Sequence, residues 1–229
     1  MSEKPSIKSL VMRIVSGFVA GIAGTLILFI TYILTATYVQ PLINPTTSLT
    51  GEEVHPMFIF VFMAMIFVAI LATNIVGAFL MGFSEKEKYT RTTEAIIKIL
   101  YINLLIFVLM IPLYIVVANM DIKYLMYAVA VQVFLSGQSS VLALEIISNP
   151  KYAVVGIYST IIAIILGAAS LLAINKFSET PTVFLFAIFP AIWIFMGLSH
   201  GVLSYVYGLL ASASGKDFMA VEHETPQEK

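Results

Sequence analysis

The chain has 229 residues, 60% of them hydrophobic and 11% charged, and its mean hydropathy is +0.99. A soluble domain carries about 25% charged residues, so this composition points to an integral membrane protein with no soluble domain. A net charge of −1 gives no basis for nucleic-acid binding, and the absence of cysteine excludes disulfides, thiolate catalysis and Cys-ligated metals.

Residues 1–10 read as a short basic leader, not a signal peptide, because the apolar run behind it is too long for an h-region. The first predicted span covers 11–39. It carries Gly17 and Gly21 as a GxxxG pair, with Ala20 and Gly24 as a second small-residue pair. That spacing lets another helix approach closely, whether from this chain or from a docked subunit. The longest loop, 40–55, contains Pro41, Pro45 and Gly51 as helix breakers and Glu52 and Glu53 as acidic residues.

The second span is expected over 56–83, with Asn74 and Gly77 inside it. A charged turn holding Lys86, Lys88 and Arg91 follows, then a third span over 95–118 with Asn103 early and Pro112 late. The fourth span, 120–147, has a polar middle running from Ser136 to Ser140, and a carboxylate, Glu145, near its end. The fifth covers 152–175 and brings Ser159 and Thr160. The sixth covers 182–211 and brings Pro190, Trp193 and His200. Residues 212–229 read as a polar tail, expected to be disordered.

Each span exceeds the roughly 20 apolar residues that cross the hydrocarbon core. With the N-terminus inside, the inner segments hold ten of the twelve Lys and Arg residues, and the outer loops hold only Lys123 and Lys176. The positive-inside rule then places both termini in the cytoplasm. The expected fold is an all-α, polytopic six-helix membrane bundle with short, antiparallel connections. Its expected home is the cytoplasmic membrane of a prokaryote, with the lipid bilayer and other membrane subunits as partners.

At about 1.5 Å of rise per residue, Asn74, Asn103, Gln138, Ser139, Ser140, Ser159 and His200 fall in one layer, on the order of 10 Å above the inner boundary. Such residues either hydrogen-bond to one another as interhelical contacts or line a cavity for a polar solute or ion. His200 flanks a stripe of Gly197, Gly201, Ser204 and Gly208 spaced for one helix face. Glu145 shares a face with Gln138 and is expected to form an interfacial ion pair with Lys151 or Lys98. His55 and His223 lie in a loop and in the tail, so no metal site and no cofactor is expected.

Ser136–Gly137 in span four, His200 in span six, a long first outer loop, and Asn74 and Gly82 in span two resemble the rhomboid proteases. That resemblance implies Ser136 and His200 as a catalytic pair under an outward opening. The chain departs from the pattern where Phe134 replaces the first motif glycine, where Leu203 stands in place of a glycine three residues after His200, and in having no histidine in span two. Six spans with a small-residue first helix are also similar to the substrate-binding subunits of energy-coupling-factor importers, which implies solute capture. The leading expectation is a non-catalytic subunit or scaffold of a larger membrane assembly. A small-solute carrier with its site around Gln138 and His200 is the alternative, and a rhomboid-like protease is the remote one.

Overall fold

In the computed structural model, residues 7–43, 56–86, 89, 91–120, 122–148, 153–177 and 180–214 are described. They form six helices: α1 (Ile7–Ile43), α2 (Pro56–Ser84), α3 (Thr92–Ala118), α4 (Ile122–Ser148), α5 (Ala153–Phe177) and α6 (Pro181–Ser214). All six are long and apolar enough to cross a membrane, the architecture of a multi-pass membrane protein. Helices suit that setting because every backbone donor and acceptor inside the segment is satisfied within it. Prolines open α2 and α6, where a missing N–H and a fixed φ are harmless.

Two boundaries differ from expectation. The first helix starts ahead of the expected span, because α1 already begins at Ile7 and takes Lys8 into the helix. At its other end α1 continues through Pro41 to Ile43. Proline in a last turn removes only one hydrogen bond, so it does not stop the helix there. The acidic stretch with Glu52 and Glu53, His55, Lys151, and the tail from residue 215 with His223 lie outside the described residues.

The start of α1 and the ends of α2, α4 and α6 share one end of the bundle, called the basic end below. Helix α1 packs on α6 and α2, α3 packs on α4, and α5 packs on α6. The interior is filled by large side chains including Leu28, Phe62, Tyr114 and Phe189, with the Phe62 and Tyr114 rings 6.2 Å apart. Most of α3 and α5 is exposed and apolar, with Leu105, Leu109 and Val116 on α3 and Ile161, Ile165 and Leu172 on α5. Lipid is the solvent such surfaces suit.

The glycine stripes of α1 and α6 turn toward each other. A β-carbon on Gly21 would stand 2.7 Å from Pro190 Cα, and one on Gly201 would meet the Leu10 side chain and carbonyl at 3.0 and 3.2 Å. Gly17 sits against the Trp193 carbonyl and Gly197, and Gly24 against Thr73 and the Phe189 ring. Of the two partners that the spacing allows, helices of this chain fill the face of Gly17, Gly21 and Gly24. Farther along α6, Ser204 and Gly208 are half-buried.

Candidate polar site in the bundle core

Arg13 lies about two turns into α1, and its side chain is 1% exposed. Its guanidinium forks onto Glu85, with Nε donating to Oε1 at 2.9 Å and Nη2 to Oε2 at 3.2 Å. Nη2 also donates to the Tyr89 hydroxyl at 2.7 Å. Nη1 donates to Glu145 Oε1 at 3.2 Å and to the His200 carbonyl at 3.3 Å. The Tyr89 hydroxyl donates in turn to Glu145 Oε1 at 2.6 Å, and Ser9 Oγ donates to Glu85 Oε1 at 2.8 Å. One cation thus ties together α1, the segment between α2 and α3, α4 and α6. The planar five-donor fork of arginine makes such multiple bonding possible, and lysine could not reproduce it.

Tyr89 lies outside the six helices, yet it is buried. Burial pushes its phenol well above the usual range. Arg13 pulls it down, while Glu145 and Glu85 push it up again. The hydroxyl is consequently held as a neutral group that accepts from Arg13 and donates to Glu145.

Glu145 is 1% exposed and pairs with Arg13. Of the two lysines expected beside it, Lys98 is exposed and Lys151 lies outside the described residues. Gly156 explains the burial: a β-carbon there would stand 3.3 Å from Glu145 Cβ, so the missing side chain lets α5 close over the carboxylate.

The polar layer divides into two sets. Asn74 Nδ2 donates to Asn103 Oδ1 at 2.8 Å, and Asn103 Nδ2 donates to Ser140 Oγ at 3.0 Å and to the Ile99 carbonyl at 2.7 Å. Ser140 Oγ donates to the Ser136 carbonyl at 2.6 Å. This chain links α2, α3 and α4. Gln138 is two residues from both Ser136 and Ser140, which turns it about 200° around the helix and away from the asparagines.

Gln138 shares its own face of α4 with Leu142 and Glu145. Those two residues meet Gly156 of α5, so that face of α4 looks toward α5. Ser159 lies about one turn beyond Gly156, and Gln138 about one turn beyond Leu142, both away from the basic end. The register therefore brings Gln138 and Ser159 to one level between the two helices. Gln138 is 4% exposed, and neither of its amide atoms has a hydrogen-bond partner. The hydroxyls of Ser136, Ser159, Thr160 and Ser199 also lack partners. Ser139 is half-buried.

His200 is buried and lines a small cavity with Arg13, Ser16, Met81, Val141 and Trp193. The cavity offers about 10 Å³ to the centre of a water molecule, about one water's worth. Because Ser136 Oγ has no partner, the Ser136–His200 bond that a rhomboid-like pair needs is not formed. Among the described residues, no three carboxylates or imidazoles converge as a metal site requires.

Arg13, Glu85 and Tyr89 were not singled out from the sequence. The available signal was Arg13 itself, a lone charge set in the first long apolar run, because such a charge demands a partner. Comparison with known protein families, with curated proteins and with solved structures finds no match to this chain.

Proposed function

We propose that this protein is a membrane carrier that takes up a small, neutral, polar solute at Gln138, between α4 and α5. The observation behind this reading is the Gln138 amide, a buried donor and acceptor with neither capacity used. Leaving such a group unpaired costs about 1–3 kcal/mol, and a buried polar group in that state calls for an explanation. A solute able both to accept and to donate would recover that cost. The other unpartnered groups of the layer, the hydroxyls of Ser136, Ser159, Thr160 and Ser199 and the amide oxygen of Asn74, are all uncharged, which favours a neutral solute over an ion.

The charge asymmetry supports placing the basic end on the cytoplasmic side of the membrane. The reading as a subunit of a larger assembly drew on the glycine faces, the scarcity of charge within the spans and the lack of a soluble domain, and the first of these is met within the chain at Gly17, Gly21, Gly24, Gly197 and Gly201. The carrier reading is therefore preferred.

The test is thermal unfolding of the purified protein in lipid nanodiscs against a panel of amides, polyols and nucleosides. A solute-specific rise in melting temperature that Gln138→Leu abolishes is the expected result. No shift with any neutral solute, together with a stoichiometric co-purifying protein, would return the subunit reading to first place.

A further inference from the structure

We infer that Phe134 closes the Gln138 site on the side away from the basic end, and that a solute enters and leaves past its ring. The inference rests on the carrier reading and assigns a gate to the same site. Two glycines of α5 mark where that helix comes closest to α4. At Gly156 a β-carbon would stand 3.3 Å from Glu145 Cβ and 3.4 Å from Leu142 Cδ1. At Gly167 it would overlap the Phe134 ring, with Cε1 2.6 Å away. The contacts are eleven residues apart on each helix, from Phe134 to Glu145 and from Gly156 to Gly167. The two helices therefore run antiparallel in one continuous register.

Successive residues turn about 100° around a helix, so from the line of Phe134, Glu145 lies about 20° around, Gln138 about 40° and Leu142 about 80°. Gln138 thus points between side chains that all touch α5. Opposite it in the register stands Ala163, which is 1% exposed and shares a face with both glycines. Ser159 and Thr160, with their unpartnered hydroxyls, lie about one turn from Ala163. The unpartnered amide is bracketed along the seam by Leu142 and Glu145 on Gly156 at one side, and by Phe134 on Gly167 at the other.

The two closures differ in what holds them. Glu145 takes Arg13 Nη1 at 3.2 Å and the Tyr89 hydroxyl at 2.6 Å, which ties the closure at Gly156 to α1 and to the segment between α2 and α3. Phe134 is a half-buried hydrocarbon ring seated in the hollow of a glycine, with no polar atom to anchor it. Moving it to another rotamer breaks no hydrogen bond and shifts no helix. Val131 and Leu135, to either side of it along α4, are exposed and apolar, so the displaced ring meets a surface suited to it. The closure that can yield is the one at Phe134.

The chain has no cysteine, so one introduced thiol can be followed without background. The experiment places Ala163→Cys in the full-length protein in lipid nanodiscs. Its modification by a charged methanethiosulfonate, too polar to cross the bilayer, is timed by mass spectrometry. Adding Phe134→Ala should speed modification by about tenfold or more, equivalent to about 1.4 kcal/mol off the opening step, whereas adding Leu142→Ala should change it by less than about twofold. Should Phe134→Ala fail to fold, Gly167→Ala decides: it keeps every atom of the ring, fills the hollow in which the ring sits, and should speed modification likewise. The inference is overturned if the variant that decides leaves the rate unchanged, or if Leu142→Ala raises it equally. No solute takes part in this measurement. Faster modification without any solute-induced shift in melting temperature overturns the carrier reading alone, and a Gln138-dependent shift without faster modification overturns this inference alone.

Discussion

A β-carbon on Gly197 would stand 2.6 Å from the carbonyl oxygen of Arg13. The residue that lets α6 touch the backbone of α1 therefore lies beside the residue that organises the charged cluster. Gly197→Ala and Gly21→Ala each press a methyl group onto backbone atoms that cannot move aside, and overpacking of this kind costs about 1–3 kcal/mol. Gly137→Ala instead meets the flexible end of Met196, at 2.6 Å from Cε, and should cost much less. Reversible unfolding in mixed micelles measures all three; equal losses would contradict backbone contact as the cause.

Removing Arg13 takes away the guanidinium that Glu85 and Glu145 share. Arg13→Met should destabilise by about 3–5 kcal/mol, the usual cost of breaking a buried ion pair from one side. The triple variant Arg13→Met, Glu85→Gln, Glu145→Gln removes the stranded charges as well and should recover more than half of that loss. Arg13→Lys keeps the charge without the fork, so it should fall between wild type and Arg13→Met. If the triple variant is no more stable than the single, the cluster does not act as one charge-balanced unit.

The Asn74–Asn103 hydrogen bond crosses from α2 to α3 at 2.8 Å. Interhelical side-chain bonds in membranes contribute about 0.6 kcal/mol on average and up to about 1.7. A double-mutant cycle with Asn74→Ala and Asn103→Ala should give a coupling energy in that range. A coupling indistinguishable from zero would show that the pair contributes position and not stability.

Tyr89 sets an alkaline limit. Its phenol is held above the ordinary value by burial and by Glu145 and Glu85, against the pull of Arg13. The folded state therefore holds this proton more tightly than the unfolded chain does. The resulting stability is complete below about pH 10 and is lost as pH rises beyond it. In nanodiscs the wild type should lose stability more steeply than Tyr89→Phe above that point. Difference absorbance should show no Tyr89 phenolate before unfolding begins; its appearance in the folded protein would refute the assignment.

The six spans were legible because an apolar run of sufficient length has few alternatives, and Pro56 and Pro181 marked two starts directly. The meeting of Asn74, Asn103 and Ser140 was legible as a shared depth. Depth says nothing of rotation, however, and Gln138, two residues from Ser140, faces elsewhere. The contact between Glu145 and Arg13 was hidden for another reason. Lys98 and Lys151 are close in sequence or depth, while Arg13 is 132 residues away and had been assigned only to an end of the bundle. Counting basic residues tells which end a charge belongs to and not how far inside it lies. No local pattern announces that Gly156 will let a neighbouring helix cover a carboxylate.

The seam between α1 and α6 joins two helices that four others separate along the chain, so α1 is synthesised well before α6. While the ribosome is still making the middle of the chain, the glycine face of α1 has no mate. Arg13 gains Glu85 soon after α2 emerges, must wait for α4 before it meets Glu145, and reaches the His200 carbonyl only with α6. Closure of this seam thus waits on α6. A nascent chain stalled before α6 offers a bare, small-residue groove and a half-matched cation to whatever surrounds it, features by which quality control could distinguish unfinished copies from finished ones.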